Sequence, residues 1–256
     1  MERKFGFIGG GRITKIFLTG FKKAGISLDN VIVSDKNTET LNALKNEFPE
    51  IRTVDDNKIA ASQDIVFISL HPPVMGDVLN EIKSNLKSNA TVISLAPKIK
   101  MAKISEILGN SQNIVRMIPN APSIVNEGYN PVLFSSKMDE THKEELLDMF
   151  KVLGDCPEVD ESKLEAYALI TAIGPTYFWF QLDELQKLGK SFGLTEKEIQ
   201  EGMFNMLNGA TKTFFHSELT PEEVMDLIPV KPLENDEEDI RTAYQLKLET
   251  VFDRLK

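Results

Sequence analysis

The sequence predicts an α/β protein, with a parallel, doubly wound sheet in its N-terminal part and an all-helical C-terminal part. Three observations carry this reading. Short apolar, mostly β-branched runs occur at 5–8, 31–35, 64–70, 90–95 and 113–118. Stretches with apolar residues at helical spacing separate them, and that alternation demands parallel pairing with right-handed crossovers. Near residue 160 the alternation stops, and from Glu161 onward the pattern is helical almost throughout.

The first run, Phe5-Gly6-Phe7-Ile8, ends in Gly9-Gly10-Gly11 and passes into Arg12, Ile13 and an apolar face of Ile13, Ile16, Phe17 and Phe21. Gly9 permits the tight turn, and Gly11 lets backbone approach a pyrophosphate. The helix that follows offers free N–H groups and a partial positive charge. Thr14 stands where the dinucleotide fingerprint has its third small residue; it is small enough for helix–strand packing but bulkier than glycine. The strand–turn–helix context supports a Rossmann domain. Gly9, Gly11, Arg12 and Ile13 are therefore candidate nucleotide contacts.

The second run ends at Ser34-Asp35-Lys36. An acidic residue here accepts from the ribose 2′-OH and favours NAD, whereas a basic one favours the 2′-phosphate of NADP. Both are present, so the cofactor reads as NADP or NAD, with Ser34, Asp35 and Lys36 as candidate contacts. Ligands of open α/β sheets bind beyond the carboxyl ends of the strands. That rule adds Leu70, His71, Pro72, Ala96 and Asn120, and predicts that His71, Ser94, Lys98 and Asn120 ring one crevice with the glycine loop. His71 reads as a phosphate- or ribose-contacting loop residue in preference to a general acid.

Amphipathic helices are expected at 38–48, 74–86 and 140–153, with a short strand near Pro157–Val159. The long apolar helix 164–189 contains Gly174-Pro175. An interior proline removes a backbone bond and costs roughly 3 kcal/mol, so the helix should break there. If the break faces the crevice, Thr171 and Tyr177 are polar groups within reach of a substrate, the catalytic candidates. Thr195 with Glu198 has the pattern of a capping box, Thr220-Pro221 starts another helix, and the last helix covers 236–255. No Gly- or Ser-rich linker marks a boundary. The expected domains are 1–160, dinucleotide-binding, and 161–256, helical and closely packed on it.

Composition excludes several classes. Among 256 residues the formal net charge is −10, which disfavours nucleic acid and anionic membrane as partners. One cysteine allows no intrachain disulfide, and three histidines share no metal-ligand spacing. No apolar run approaches the roughly 20 residues of a membrane span. The chain opens directly on a strand with no signal-peptide pattern, so the expected compartment is cytoplasmic.

The chain resembles the pyrroline-5-carboxylate reductases over roughly residues 4–216. The carrying motifs are Gly-Phe-Ile-Gly-Gly-Gly-Arg-Ile-Thr at 6–14, Leu70-His71-Pro72 with Val74-Met75, and Arg116-Met117-Ile118-Pro119-Asn120-Ala121-Pro122 continued by Val125-Asn126-Glu127-Gly128. Thr171-Ala172-Ile173-Gly174-Pro175-Thr176-Tyr177 stands at the family's Ser-Gly-Ser-Gly-Pro-Ala-Tyr. The resemblance implies a helical domain that interlocks with a second subunit, and hydride transfer from a nicotinamide to a cyclic imine carboxylate in proline biosynthesis. It also exposes departures. The family's Ser-Pro-Gly-Gly-Thr-Thr segment, which holds the substrate carboxylate, is replaced by the stretch Asp226 to Leu233, with neither a glycine pair nor a hydroxyl. The family lysine is His71, and Ala172-Ile173 replaces a small polar pair. Together these imply an altered substrate. Related hydroxyacid dehydrogenases place a lysine and an asparagine on the long helix, where this chain has Phe178 and Leu182, which argues against alcohol oxidation. Two alternatives stand beside this reading: a deazaflavin-dependent NADP oxidoreductase on the same scaffold, and a catalytically silent nucleotide-binding dimer.

Overall fold

The computed structural model describes residues 3–109 and 113–255. Its central sheet is formed by β1 (Phe5–Ile8), β2 (Val31–Ser34), β3 (Arg52–Val54), β4 (Ile65–Ile68), β5 (Thr91–Ser94), β6 (Ile114–Met117) and, after a two-stranded excursion, β8 (Val132–Phe134). The spatial order is β3-β2-β1-β4-β5-β6-β8. All pairings are parallel except β6 with β8, an antiparallel addition that the alternation did not predict. The first six positions follow the dinucleotide-binding order, in which the connections reverse direction between β1 and β4 and open a crevice there.

Alternation along each strand divides the interior into two cores. Phe5, Phe7, Val31, Val33, Phe67 and Ile93 face one side, where they meet Phe17, Leu18 and Phe21 of α1 (Arg12–Lys23), Leu41 and Leu44 of α2 (Thr38–Glu47), and Leu146 and Phe150 of α6 (Glu140–Lys151). Ile8, Val66, Ile68, Val92 and Ile114 face the other, against α3 (Asn57–Ala61), α4 (Pro72–Ile82) and α5 (Met101–Ile107). Cover on both faces explains why these strands read as continuous apolar runs. Phe7 and Phe67 stack at 4.4 Å, with Phe17 edge-on to Phe67 at 5.7 Å. Each fully buried phenylalanine contributes roughly 1.5–3 kcal/mol.

β3 and α3 went unseen in the sequence because both are very short. A second, two-stranded sheet pairs β7 (Gly128–Tyr129) with β9 (Gly154–Asp155). The strand expected at Pro157–Val159 survives only as a bridge between Val132 and Glu158, while the regular pairing lies a few residues earlier.

The chain forms two compact units: residues 1–173 with 251–256, and residues 174–250. The first therefore includes α7 (Glu161–Tyr167), beyond the boundary expected at residue 160, because Leu164 and Ala168 bury against Ile118. The second consists of α8 (Pro175–Ser191), α9 (Glu196–His216), α10 (Pro221–Asp226) and most of α11 (Glu237–Leu255). The expected capping box of Thr195 with Glu198 forms, and the helix expected to start at Thr220-Pro221 has one too, Thr220 with Glu223.

Candidate active site

Gly9 ends β1 at φ +100, and a Cβ placed on it would lie 2.5 Å from the Ser69 carbonyl oxygen. The close approach of the turn after β1 to the backbone just past β4 thus requires glycine on both steric and conformational grounds. Gly11 has ordinary backbone angles and caps α1 without any side-chain bond, and a Cβ on it would meet no protein atom within 4 Å. Its space is open, and the first N–H groups of α1 face outward beside it, an anion cradle by geometry and dipole. Thr14, fully buried, donates from Oγ1 to the Gly9 carbonyl at 2.6 Å. The residue that departs from the glycine pattern thereby ties the loop closed.

Asp35 supports the same loop. Its Oδ2 accepts from Gly10 N–H at 2.7 Å and its Oδ1 from Asn37 N–H at 2.8 Å. Lys36 donates to the Asp55 carbonyl at 3.2 Å. Ser34 is not open to a ligand: it is fully buried, and its hydroxyl donates to Asn57 Oδ1 at 3.0 Å. It belongs to the last inward-facing position of β2 and not to the loop beyond it.

A cleft of about 480 Å³ brings together Gly11, Arg12, Ile13, Leu70, His71, Pro72 and Ala96, with Ser69 and Pro119. Of the expected ring, His71 is here, exposed at the start of α4. Ser94 is fully buried and points its hydroxyl at Met75 sulfur, 3.8 Å away. Lys98 lines an adjoining groove that shares Pro72 with the cleft. Ser69 was missed. Its Oγ is buried without a hydrogen-bond partner, and the signal was available as the first polar residue after the apolar run of β4. An orphaned hydroxyl on the cleft wall, with the open cradle at Gly11, fits a nucleotide carrying both phosphate and hydrogen-bonding groups.

Asn120 is only 4% exposed, and its groups are spent on protein. Its Nδ2 donates to the Thr171 carbonyl, and its Oδ1 accepts from Tyr129 N–H at 3.3 Å. The reason lies in the expected helix break. Residues 168–172 form a π-helical turn, and Pro175 opens α8. In a regular helix the Thr171 carbonyl would accept from the N–H four residues on, which proline lacks. Asn120 supplies the missing donor. Asn120 is thus a structural link between two motifs, with its side-chain amide turned to protein partners. Thr171 Oγ1 donates to the Tyr167 carbonyl at 2.8 Å, so its proton is already committed within the helix. Tyr177, in the second unit, packs edge-on against Tyr244 at 5.6 Å, and burial followed by that neighbour raises its phenol above the ordinary value.

A charged clamp supports the loop after β5. Arg116, fully buried, donates from Nη1 to Glu161 and from Nη2 to Glu165, each at 2.8 Å. Glu161 Oε1 also accepts from Met101 N–H at 2.6 Å, and Glu165 Oε1 from Lys98 N–H at 3.0 Å. Burial raises the Glu165 carboxyl, but the Arg116 and Lys98 hydrogen bonds outweigh it and hold the group below the ordinary carboxylate value. Between the two anchored amides, Lys98 sits at φ +78. For a residue with a Cβ, that left-handed conformation costs about 1–2 kcal/mol.

The second unit contains a separate cavity of about 830 Å³ with Phe214, Met225, Ile228, Val230 and Lys231 among its lining residues. Among the described residues there is no group of His, Cys, Asp and Glu able to hold a metal, and no helix long and apolar enough to cross a membrane.

Comparison with known proteins adds the following. A family described as NADP oxidoreductase coenzyme F420-dependent matches residues 4–98. The pyrroline-5-carboxylate reductase of Corynebacterium melassecola is 26% identical over 220 residues, 85% of this chain and 82% of that protein. The enzyme of the same name from Escherichia coli (strain K12) is 24% identical over 229 residues, 89% of this chain and 85% of its own. Among solved structures, Plasmodium falciparum pyrroline carboxylate reductase with NADP bound superposes with a TM-score of 0.77 at 23% identity, covering 100% of this chain and 96% of the other. The resemblance read from the motifs thus extends over most of the chain, and the fold is shared along its whole length.

Proposed function

We propose that this chain is an NAD(P)H-dependent reductase of the pyrroline-5-carboxylate reductase type, acting on a cyclic imine carboxylate or a close relative. The observation that carries it is the cleft itself. One opening joins the Gly11 cradle of α1 to the ends of β4 and β5, which supports a reading in which nucleotide and acceptor meet at this switch point. The curated relatives that span most of the chain carry the same activity in their names.

A bound nicotinamide nucleotide supplies the hydride. The chain's own residues do the rest. The α1 N-terminus and Gly11 would hold the nucleotide's pyrophosphate, Asp35 fixes the loop through Gly10, and Ser69, Leu70 and His71 form a wall of the same cleft. Hydride goes to the imine carbon and a proton to the imine nitrogen, giving a cyclic amine carboxylate. An imine acceptor demands little acid–base help, which suits a cleft whose walls, among the described residues, carry only Arg12 and His71 as ionisable side chains. Tyr177 is retained as a candidate proton donor. Thr171 is demoted because its hydroxyl already donates.

The second unit supports a homo-oligomeric reading. α8, α10 and α11 bury no residue, and α9 buries Ile199 alone. Phe178, Trp179, Phe180, Phe204 and Phe215 are all more than half exposed. So much apolar surface calls for cover, and a second copy interlocking through these helices provides it.

The test is oxidation of NADH and NADPH with pyrroline-5-carboxylate as acceptor, followed at the nicotinamide absorbance. Turnover is expected. Tight nucleotide binding without turnover on a panel of imines and keto acids would turn the reading toward a silent binder. The match at residues 4–98 favours one alternative, a deazaflavin-dependent NADP oxidoreductase; reduction of NADP by a reduced deazaflavin, with imines inert, would establish it.

A further inference from the structure

We propose that Lys98 is the anion-recognition residue for the acceptor's carboxylate, and that the Arg116–Glu161–Glu165 clamp exists to hold it there. The inference rests on the reductase reading above and adds to it a named substrate-binding residue.

The backbone is the first observation. Lys98 has φ +78, and Ile99 N–H donates across it to the Pro97 carbonyl at 3.0 Å. This is a γ-turn in its rare, strained form, centred on a residue with a long side chain. Such strain persists only where surrounding structure over-determines it, and it gathers at ligand clamps and active sites. The over-determination is visible. Glu165 takes the Lys98 N–H and Glu161 the Met101 N–H, and both carboxylates are gripped by one fully buried guanidinium.

Placement is the second. Lys98 follows the carboxyl end of β5, on the side of the switch point away from β2, where the adenosine half of a dinucleotide lies. The acceptor must meet the other half. Lys98, Ile99, Lys100 and Lys103 form one groove with Pro72 and Pro73, and Pro72 also borders the nucleotide cleft. The lysines therefore stand at the lip over which an acceptor enters.

Charge is the third. The chain carries −10 overall, yet three lysines, Lys98, Lys100 and Lys103, gather in one groove at this lip. Lys103 pairs with Glu106, whereas Lys98 and Lys100 enter no ion pair among the described residues. The nearest carboxylates, Glu161 and Glu165, already serve Arg116. Lys98 is exposed, and besides this groove it lines a cavity of about 330 Å³ with Glu161 and Glu165. A carboxylate on a cyclic imine is a ligand of matching charge and size.

The experiment compares pyrroline-5-carboxylate with pyrroline, which has the imine and lacks the carboxylate. Lys98→Gly keeps the turn, since glycine accepts positive φ, and removes the charge; Lys98→Arg keeps the charge. For Lys98→Gly the ratio of kcat/KM between the two acceptors should fall about 10- to 100-fold, mainly through KM. Lys98→Arg should retain that ratio within about threefold. Glu165→Gln, which loosens the clamp without touching the ligand, should lower the ratio less than Lys98→Gly does. An unchanged ratio in Lys98→Gly, with the unsubstituted chain active, overturns the proposal and leaves the reductase reading intact. If the unsubstituted chain, with NADPH bound, reduces neither acceptor, the reading itself falls and takes the proposal with it.

Discussion

Gly9 and Gly11 share a motif and have opposite physical jobs. Gly9 carries positive φ with a backbone carbonyl in the place of any Cβ, so Gly9→Ala strains the turn and pushes β1 from β4. The expected loss is about 2–3 kcal/mol, read as a fall in Tm of several degrees. Gly11 meets nothing within 4 Å and has angles any residue adopts. Gly11→Val should therefore unfold within about 2 °C of the parent while NADPH affinity falls at least about 10-fold in a fluorescence titration. A Gly11→Val variant that binds normally would remove the phosphate cradle from this account. Asp35 offers a third test at this scale. Its carboxylate is fixed beside the loop through Gly10 and Asn37, and in the proposed binding mode it would repel a 2′-phosphate. Asp35→Ser should raise the ratio of NADPH to NADH efficiency. No shift in that ratio would mean that the adenosine ribose lies elsewhere.

At the scale of elements, two stretches that the sequence presents as separate motifs are one device. Pro175 removes the donor that the Thr171 carbonyl needs, and Asn120, after β6, replaces it. Asn120→Ala should cost about 1–2 kcal/mol by denaturant unfolding, the range for an abandoned buried acceptor. In a Pro175→Ala background the helix can supply its own N–H, and the cost of Asn120→Ala should shrink below about 0.5 kcal/mol. Equal costs in the two backgrounds would show that Asn120 serves something else. The break at Gly174-Pro175 was legible because proline's chemistry is local. The link from Asn120 to Thr171 was not legible, because the strand-end rule locates residues but cannot say which way a side chain turns.

Across the whole molecule, the first unit carries two well-filled cores and the second almost none. A helical unit with one buried side chain among its four α-helices cannot be stable on hydrophobic grounds alone, so the assembly proposed above should be obligate. Light scattering should give at least about twice 28.8 kDa, and Phe180→Glu, at a position 67% exposed in the single chain, should weaken assembly and activity together. A stable, active monomer would refute it. The sequence by itself determined the strand–helix alternation, the glycine turn, the capping boxes and the helix break. Each of these is written in a few consecutive residues by backbone conformation, hydrogen-bonding capacity or periodicity. Only the tertiary structure decided that Ser34 and Ser94 are buried, that Thr14 closes the loop, that β8 runs antiparallel, and that Arg116 reaches 45 and 49 residues along the chain to Glu161 and Glu165. Those outcomes depend on which distant groups meet once two faces of a sheet are covered, and no local pattern encodes that meeting.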